Sequence, residues 1–391
     1  MSAKASWTRV AFGDVVRLAR ERSSDPEEDG FDRYVGLEHI DPGHLTIRRW
    51  GNLADGTTFT NVFRAGQVLF GKRRAYQRKV AVADFDGVCS GDIYVFEPKG
   101  DGLLPELLPY ICQTDGFFEH AIGTSAGSLS PRTNWNSLVG FELPLPPIDV
   151  QRRIVEALAA IDRCRERYRL LLTGADCLIA SFLDDVWARH GLAKISTLVD
   201  SAVIAPPQDG NHGEKHPTAS DYVEDGVPFL MASDLQNGTV DLVSCKKIPQ
   251  EVAVGLRIGF AKAGDVLLSH KGTVGAVARL TDLSGEFVML TPQVTYYRVL
   301  DRCRLHPDWL FFCFKSPAFQ RLLERRSKQS TRAYIGITAQ QDLEIPYCSV
   351  EDQEGVLAAL WRVERTSTAT QRRDADACVL RRGLLHRLIG D

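Results

Sequence analysis

Ala65-Gly66-Gln67-Val68-Leu69-Phe70 returns 198 residues later as Ala263-Gly264-Asp265-Val266-Leu267-Leu268. Outward from this pair, Asp84-Phe85-Asp86-Gly87 meets Asp282-Leu283-Ser284-Gly285 at the same offset. Further along the offset settles at 202: Pro105-Glu106-Leu107-Leu108 aligns with Pro307-Asp308-Trp309-Leu310, Phe117 with Phe319, Pro144 with Pro346 and Gln151 with Gln353. Leu158 and Arg163 align with Leu360 and Arg365. Many matches in one order exclude chance resemblance of common residues, and the period is far too long for a solenoid. The chain is therefore two homologous domains, each followed by a similar tail.

Each half repeats one order of elements. Arg33-Tyr34-Val35-Gly36-Leu37 and Val227-Pro228-Phe229-Leu230 read as corresponding strands. Asp41-Pro42-Gly43 and Gln236-Asn237-Gly238 read as the turns that follow. More strands come from the Val-Leu-Phe and Val-Leu-Leu stretches and from residues 92–96 and 293–297, where β-branched and aromatic residues dominate. A helix is expected from Pro105 to about Ile122, and from Pro307 to about Glu324, with proline in the first turn.

Leu143-Pro144-Leu145-Pro146-Pro147 cannot lie inside a helix, and it marks the end of the first domain. A heptad pattern begins after it. Ile154, Ile161, Tyr168, Ala175 and Phe182 recur every seven residues, as do Leu158, Arg165, Leu172, Ile179 and Val186, with Arg165 the one polar member. A continuous helix from about Asp149 to His190 would run roughly 60 Å at about 1.5 Å per residue, with Gly174 as a local weak point. The counterpart from about Val350 to Ile389 keeps Val356, Leu360, Val363, Ala377, Leu384 and Leu388, interrupted by Ser367, Thr370 and Asp374. The expected class is α+β. Two homologous globular domains of mixed strands and helices (1–147 and 191–347) are separated by two long helices (148–190 and 348–391) packing as an antiparallel coiled coil. The competing expectation is that each helix packs on its own domain.

Composition is that of an ordinary globular protein: 391 residues, 44% hydrophobic and 25% charged, enough for two or three domains. No apolar run is long enough for a membrane span, and the N-terminus lacks the apolar stretch of a signal peptide, so a cytoplasmic protein is expected. Nine scattered cysteines without a C-x-x-C pair argue against a disulfide framework or zinc knuckle. The net charge of −3 requires any nucleic-acid binding to rest on a local patch.

Several catalytic patterns fail on context. Gly66-Gln67-Val68-Leu69-Phe70-Gly71-Lys72 lacks the Ser/Thr of a P-loop, since Arg73 follows, and its centre reads as a strand. Gly123-Thr124-Ser125-Ala126-Gly127 follows a helix, whereas a nucleophile elbow follows a strand. His212 and His216 sit in a loop composition, so no metal site is expected. No dinucleotide fingerprint and no Asn/Asp-Pro-Pro-Tyr/Phe methyltransferase tetrapeptide occurs, so no catalytic centre is expected.

One cluster remains. Lys72-Arg73-Arg74-Ala75-Tyr76-Gln77-Arg78-Lys79 holds five cations and a tyrosine in eight residues, a composition suited to phosphates and base edges, although a solvated charged face is the plain alternative. Lys72, Arg73, Arg74, Tyr76, Arg78 and Lys79 are its candidates, with His270, Lys271 and Thr273 as the second-half counterpart. A further pair precedes the boundaries: residues 128–135, offering Ser130, Arg132 and Asn134, and residues 330–337, offering Arg332 and Tyr334. On the helices, Ile154, Leu158, Ile161, Leu172, Val356 and Leu360 are the candidate partner-binding residues.

The Gly-Asp-Val-Leu strand at 264–267 (varied at 66–69), Ser-Leu-Ser-Pro-Arg-Thr-Asn-Trp at 128–135 and Leu-Pro-Leu-Pro-Pro-Ile-Asp-Val-Gln-Arg-Arg-Ile at 143–154 make the chain resemble the specificity subunits of type I restriction–modification systems over nearly its full length. Residues 345–353 depart from the double-proline pattern. The resemblance implies two target-recognition domains, each reading one half of an asymmetric bipartite site in double-stranded DNA. The helices would serve as a ruler between them. Two methyltransferase (modification) subunits carrying S-adenosylmethionine would be partners, with a restriction/translocase subunit as an optional third, and this chain would have no cofactor or membrane contact of its own. The rival reading is a coiled-coil scaffold that binds other proteins without DNA specificity.

Overall fold

The computed structural model describes residues 7–212, 216–281, 283–327 and 333–389, with only the backbone of Leu388 and Ile389. Asp282, Ser330, Thr331 and Arg332 lie outside the described residues, as does the Leu388 side chain. The chain divides into two compact units: Met1–Arg169 with Gln371–Asp391, and Leu170–Thr370. This division cuts through both long helices, unlike the linear partition expected from sequence.

In the first unit, Val16–Leu18, Ile93–Pro98, Val68–Gly71 and Val80–Val82 form one antiparallel sheet in that order. Gly51–Asn52, Arg33–Val35, Gly87–Cys89 and Asn61–Phe63 form another, whose central pair is parallel. The second unit repeats the second sheet strand for strand: Lys246–Ile248, Val227–Leu230, Val288–Leu290 and Phe260–Ala261, again with a parallel central pair. Thr273–Arg279, Val266–Lys271 and Val294–Tyr297 repeat three strands of the first sheet, and bridges from Ile204 and Gln208 stand in for the fourth.

The duplicated Val-Leu-Phe/Leu strand is apolar throughout because it is covered on both sides. Side chains alternate across a strand, so Val68 and Phe70 enter the core beneath the helices while Leu69 enters the core between sheets. Val266 and Leu268 divide from Leu267 in the same way. Truncating Phe70, fully buried against Phe96 and Phe117, would cost about 3–5 kcal/mol.

The helix expected from Pro105 is two helices, Leu108–Ile111 and Asp115–Gly123. Its counterpart is Pro307–Lys315 and Pro317–Ser327. The break has one cause in both. Thr114 Oγ1 donates to the Ile111 carbonyl at 2.7 Å and accepts from Phe117 N, and Ser316 Oγ donates to the Cys313 carbonyl at 2.6 Å and accepts from Phe319 N. A hydroxyl that serves the end of one helix and the start of the next makes a corner favourable.

The boundary elements are also duplicated. Thr8–Ala11 pairs with Glu142–Leu145, and Leu192–Lys194 with Glu344–Pro346. Fully buried Gln151 donates to the Gly102 and Pro146 carbonyls and accepts from Leu104 N. Gln353, 202 residues on, donates to Arg304 and Cys348 and accepts from His306 N. One glutamine thus clamps each domain to the first turn of its helix.

Both long helices form as expected, Ile148–Arg189 and Val350–Ile389, without interruption at Gly174. Within the first unit they run antiparallel, with Asp162 paired to Arg381 at 2.7 Å and Arg165 to Asp374 at 3.0 Å. Within the second unit Leu183 and Val186 share a core with Leu357 and Leu360. Among the described residues no helix is long and apolar enough to cross a membrane.

Candidate nucleic-acid interface

The hairpin after Val68–Gly71 carries the basic cluster, and the segment before the proline boundary folds back onto it. Arg74 N donates to the Pro131 carbonyl at 2.7 Å, Thr133 N donates to the Lys72 carbonyl at 2.9 Å, and Arg73 bridges Arg132. The second unit repeats all three contacts at the two sequence offsets. Gly272 N donates to the Ala333 carbonyl at 3.1 Å, Ile335 N donates to the His270 carbonyl at 3.0 Å, and Lys271 bridges Tyr334. The two candidate segments of each half therefore form one surface.

Backbone conformation shapes the tip. Arg74 and Arg78 both adopt left-handed φ, 55° and 54°, on either side of the short turn Ala75–Gln77. Such conformations cost a non-glycine residue about 1 kcal/mol or more and persist where surrounding contacts fix them. The equivalent of Arg74 is Gly272, with φ 79°, where glycine takes the same conformation without strain.

The first surface is cationic with one central carboxylate. Arg132 Nε donates to Asp92 Oδ1 at 2.9 Å, and Arg73 Nη1 to Asp92 Oδ2 at 3.3 Å. Burial alone would raise the Asp92 pKa, but the hydrogen bonds and charges of Arg132 and Arg73 hold it below the usual carboxylate range. Arg73 and Arg74 both reach Ser130 Oγ. The Lys72 ammonium lies 4.6 Å from the Tyr94 ring centre, and burial lowers its pKa. The Tyr94 hydroxyl donates to the Thr133 carbonyl and accepts from Trp135 N, tying sheet to loop. Two arginines thus stand on one aspartate, leaving net positive charge beside Tyr76, which is 55% exposed.

The candidates divide by what their side chains do. Arg78 reaches Asp115 at 2.5 Å and lies over Phe118, and Lys79 donates to the Leu37 carbonyl at 2.5 Å, so both brace the hairpin. Asn134 is exposed and caps the helix Trp135–Leu138 through Asn136 N. In the second unit Lys271 and Thr273 are exposed and Tyr334 is 43% exposed, but His270 is not a surface group. Its side chain is fully buried, Nδ1 faces the Ile335 carbonyl at 3.0 Å, and Nε2 lies 3.7 Å from Asp209. His270 continues the inward face of Val266 and Leu268, which corrects its assignment as a DNA contact. Arg332 lies outside the described residues. Asp92 and Tyr94 were missed in the sequence, although residues 92–96 belong to the repeat.

The helix candidates need a similar correction. Leu158 and Leu360 are fully buried, each in the core of its own unit, so neither is available to a partner. Ile154, Ile161, Leu172 and Val356 are half-buried. Among the described residues, the exposed large apolar side chains of the helices are Leu170, Leu171, Leu178 and Phe182 on the first, and Val379 and Leu380 on the second.

Other sequence patterns resolve structurally. Ser125 Oγ donates to the Ala121 carbonyl, a helix-end contact. His212 Nε2 lies 2.8 Å from Asp209. Among the described residues no group of three or more His, Cys, Asp or Glu side chains could hold a metal ion.

The structure is thus a duplicated mixed fold with a basic hairpin surface in one copy and a divergent one in the other. Residues 5–168 match the family model of the type I restriction modification DNA specificity domain. It is similar to the type I restriction enzyme EcoDI specificity subunit of Escherichia coli, 26% identical over 191 residues that cover 46% of this chain and 40% of that one. It is also similar to the EcoBI specificity subunit of the same organism, 23% identical over 259 residues, 59% of this chain and 52% of that one. The matches thus span about half the length of these relatives. Among solved structures, the S subunit of a type I restriction–modification system from M. genitalium superposes with a TM-score of 0.63 at 12% identity, covering 98% of this chain and 96% of the other. A chain from a type I restriction–modification system solved for its complex assembly and conformational transition gives 0.58 at 21% identity, covering 99% and 98%. At these identities the two structures share the fold.

Proposed function

We propose that this chain is the DNA-reading subunit of a type I restriction–modification complex. Each unit reads one half of an asymmetric bipartite site in double-stranded DNA, and the bound chain directs methylation, and cleavage where a nuclease is present, by partner subunits. The observation that carries the reading is the doubled pairing, Arg73 with Arg132 and Lys271 with Tyr334. One scaffold presents two differently furnished tips, as two unlike half-sites require. Two different readers in one chain need no palindrome, whereas identical dimers favour one.

In this reading the chain has no catalytic centre. S-adenosylmethionine belongs to two modification subunits, a restriction/translocase subunit is an optional further partner, and the assembly works in the cytoplasm. The exposed Leu170, Leu171, Leu178 and Phe182, with Val379 and Leu380, are the apolar positions offered to those partners.

The test is binding of the chain, assembled with its modification subunits, to its methylated motif at several salt concentrations. Affinity should fall with a slope of roughly −0.9 per phosphate contacted. Arg74→Ala and Lys271→Ala should each reduce that slope by about one while assembly is unchanged. Salt-insensitive, sequence-indifferent binding would instead support the scaffold reading.

A further inference from the structure

The first unit holds a cavity of about 510 Å³ that the DNA reading does not use. It is bounded by the turn Pro42–His44, the segment 113–118 and parts of both long helices. This is the size of a small-ligand site. Its wall carries four guanidiniums, Arg78, Arg165, Arg381 and Arg382, against one carboxylate, Asp115. Arg165 and Arg381 are oriented from behind by Asp374 and Asp162, neither of which lines the cavity. Arg382 is exposed and makes no ion pair among the described residues.

Gln113 supplies an independent sign. It lines the cavity, is only 7% exposed, and its Oε1 accepts from Arg381. That contact fixes the amide orientation, because a flipped amide would set two donors against each other. Nε2 is therefore turned away from Arg381, and it makes no hydrogen bond. A buried donor without an acceptor is costly, and here it sits among cations. At the offset of 202 the second unit has Lys315 in place of Gln113 and Glu364 in place of Asp162, and these two pair directly at 2.7 Å. The unmet donor belongs to the first unit alone.

We propose that this cavity binds a phosphate group. A phosphate offers enough oxygens for several guanidinium forks and the free amide at once, which a planar carboxylate does not. The volume fits a nucleotide or pyrophosphate better than a bare monatomic anion. The phosphate belongs either to such a free ligand or to a DNA strand, and the proposal does not depend on sequence-specific reading.

The experiment is calorimetric titration of the full chain in two arms: pyrophosphate and ADP in one, a duplex lacking any recognised motif in the other. Arg382→Ala removes an exposed charge. Gln113→Glu keeps an acceptor for Arg381 but places a carboxylate in the cavity. The phosphate ligand should bind at least about tenfold more weakly to the first variant and not measurably to the second. His44, on the cavity wall and held below its ordinary pKa by burial and by the Arg48 and Arg165 charges, should titrate higher when the ligand is bound. Loss confined to pyrophosphate and ADP assigns a free ligand, and loss in the duplex arm assigns a strand phosphate. If neither variant changes the affinity for any of these ligands, the proposal is overturned.

Discussion

At the scale of single residues, the site is built by pairing positions that the sequence offers separately. Arg73 and Arg132 are far apart in the chain, and only the folded hairpin shows that both stand on Asp92. His270 gives the sharpest test at this scale. Burial depresses its pKa, Asp209 opposes that, and His212 and Lys271 reinforce it. The ring is therefore neutral in the fold at pH values where the unfolded chain, with an ordinary value near 6.5, already takes up a proton. Stability is present in full above about pH 6.5 and is lost as pH falls below it, by at most about 1.4 kcal/mol per pH unit. His270→Asn should remove this component from the pH dependence of unfolding while Arg78 and Lys72 variants leave it in place. A wild-type and variant pair with parallel profiles between pH 7 and 5 would refute the assignment. The burial was legible in principle, because two-residue alternation from Val266 and Leu268 leads inward to His270, but its polar neighbours Lys271, Gly272 and Thr273 suggest a surface tip. Asp92 had no such signal, since a lone aspartate in the turn before a strand carries no pattern.

At the scale of elements, repetition made most of the fold readable. Strands and both long helices fall where the matched segments place them. What the pattern hid were compensations between elements. Arg165 interrupts one heptad stripe and Asp374 the other, so each read as a flaw in its own helix. The structure sets them 3.0 Å apart, largely shielded from solvent. Removing one partner leaves a half-buried charge, whereas replacing both by apolar residues removes the desolvation penalty. Asp374→Ala should therefore destabilise the first unit by about 0.5–2 kcal/mol, and Arg165→Met with Asp374→Leu should be at least as stable as the parent. Denaturant unfolding of the two singles and the double gives the cycle, and strictly additive losses would exclude the compensation. The helix corners at Thr114 and Ser316 were hidden for a related reason. A threonine or serine within an apolar run looks like tolerated polarity until its hydroxyl is seen joining two helix ends.

At the scale of the whole molecule, the proposed function makes duplication with divergence the means of reading an asymmetric site, and this sets how the halves can be exchanged. Replacing residues 1–147 with a relative's domain should alter one half of the recognised sequence and leave the other unchanged, as methylation mapping would show. The contacts inside the first unit add a condition that the linear domain map omits. Gln151 holds the domain through backbone atoms of Gly102, Leu104 and Pro146, which any homologous domain supplies. Tyr110 and Gln113, by contrast, meet Asp162 and Arg381 through side chains. A domain lacking equivalents of Tyr110 and Gln113 would leave Arg381, a buried cation, short of a partner, at a cost of about 1–3 kcal/mol. Exchange of 1–147 together with residues 148–169 and 371–391 from the same donor restores both sides of that contact. The larger exchange should therefore unfold at a higher temperature than the smaller one, while both change the same half of the methylated motif. Equal stability of the two chimeras would show that Asp162 and Arg381 do not bind the domain to the helices. A change in both halves of the motif would show that the units do not read independently.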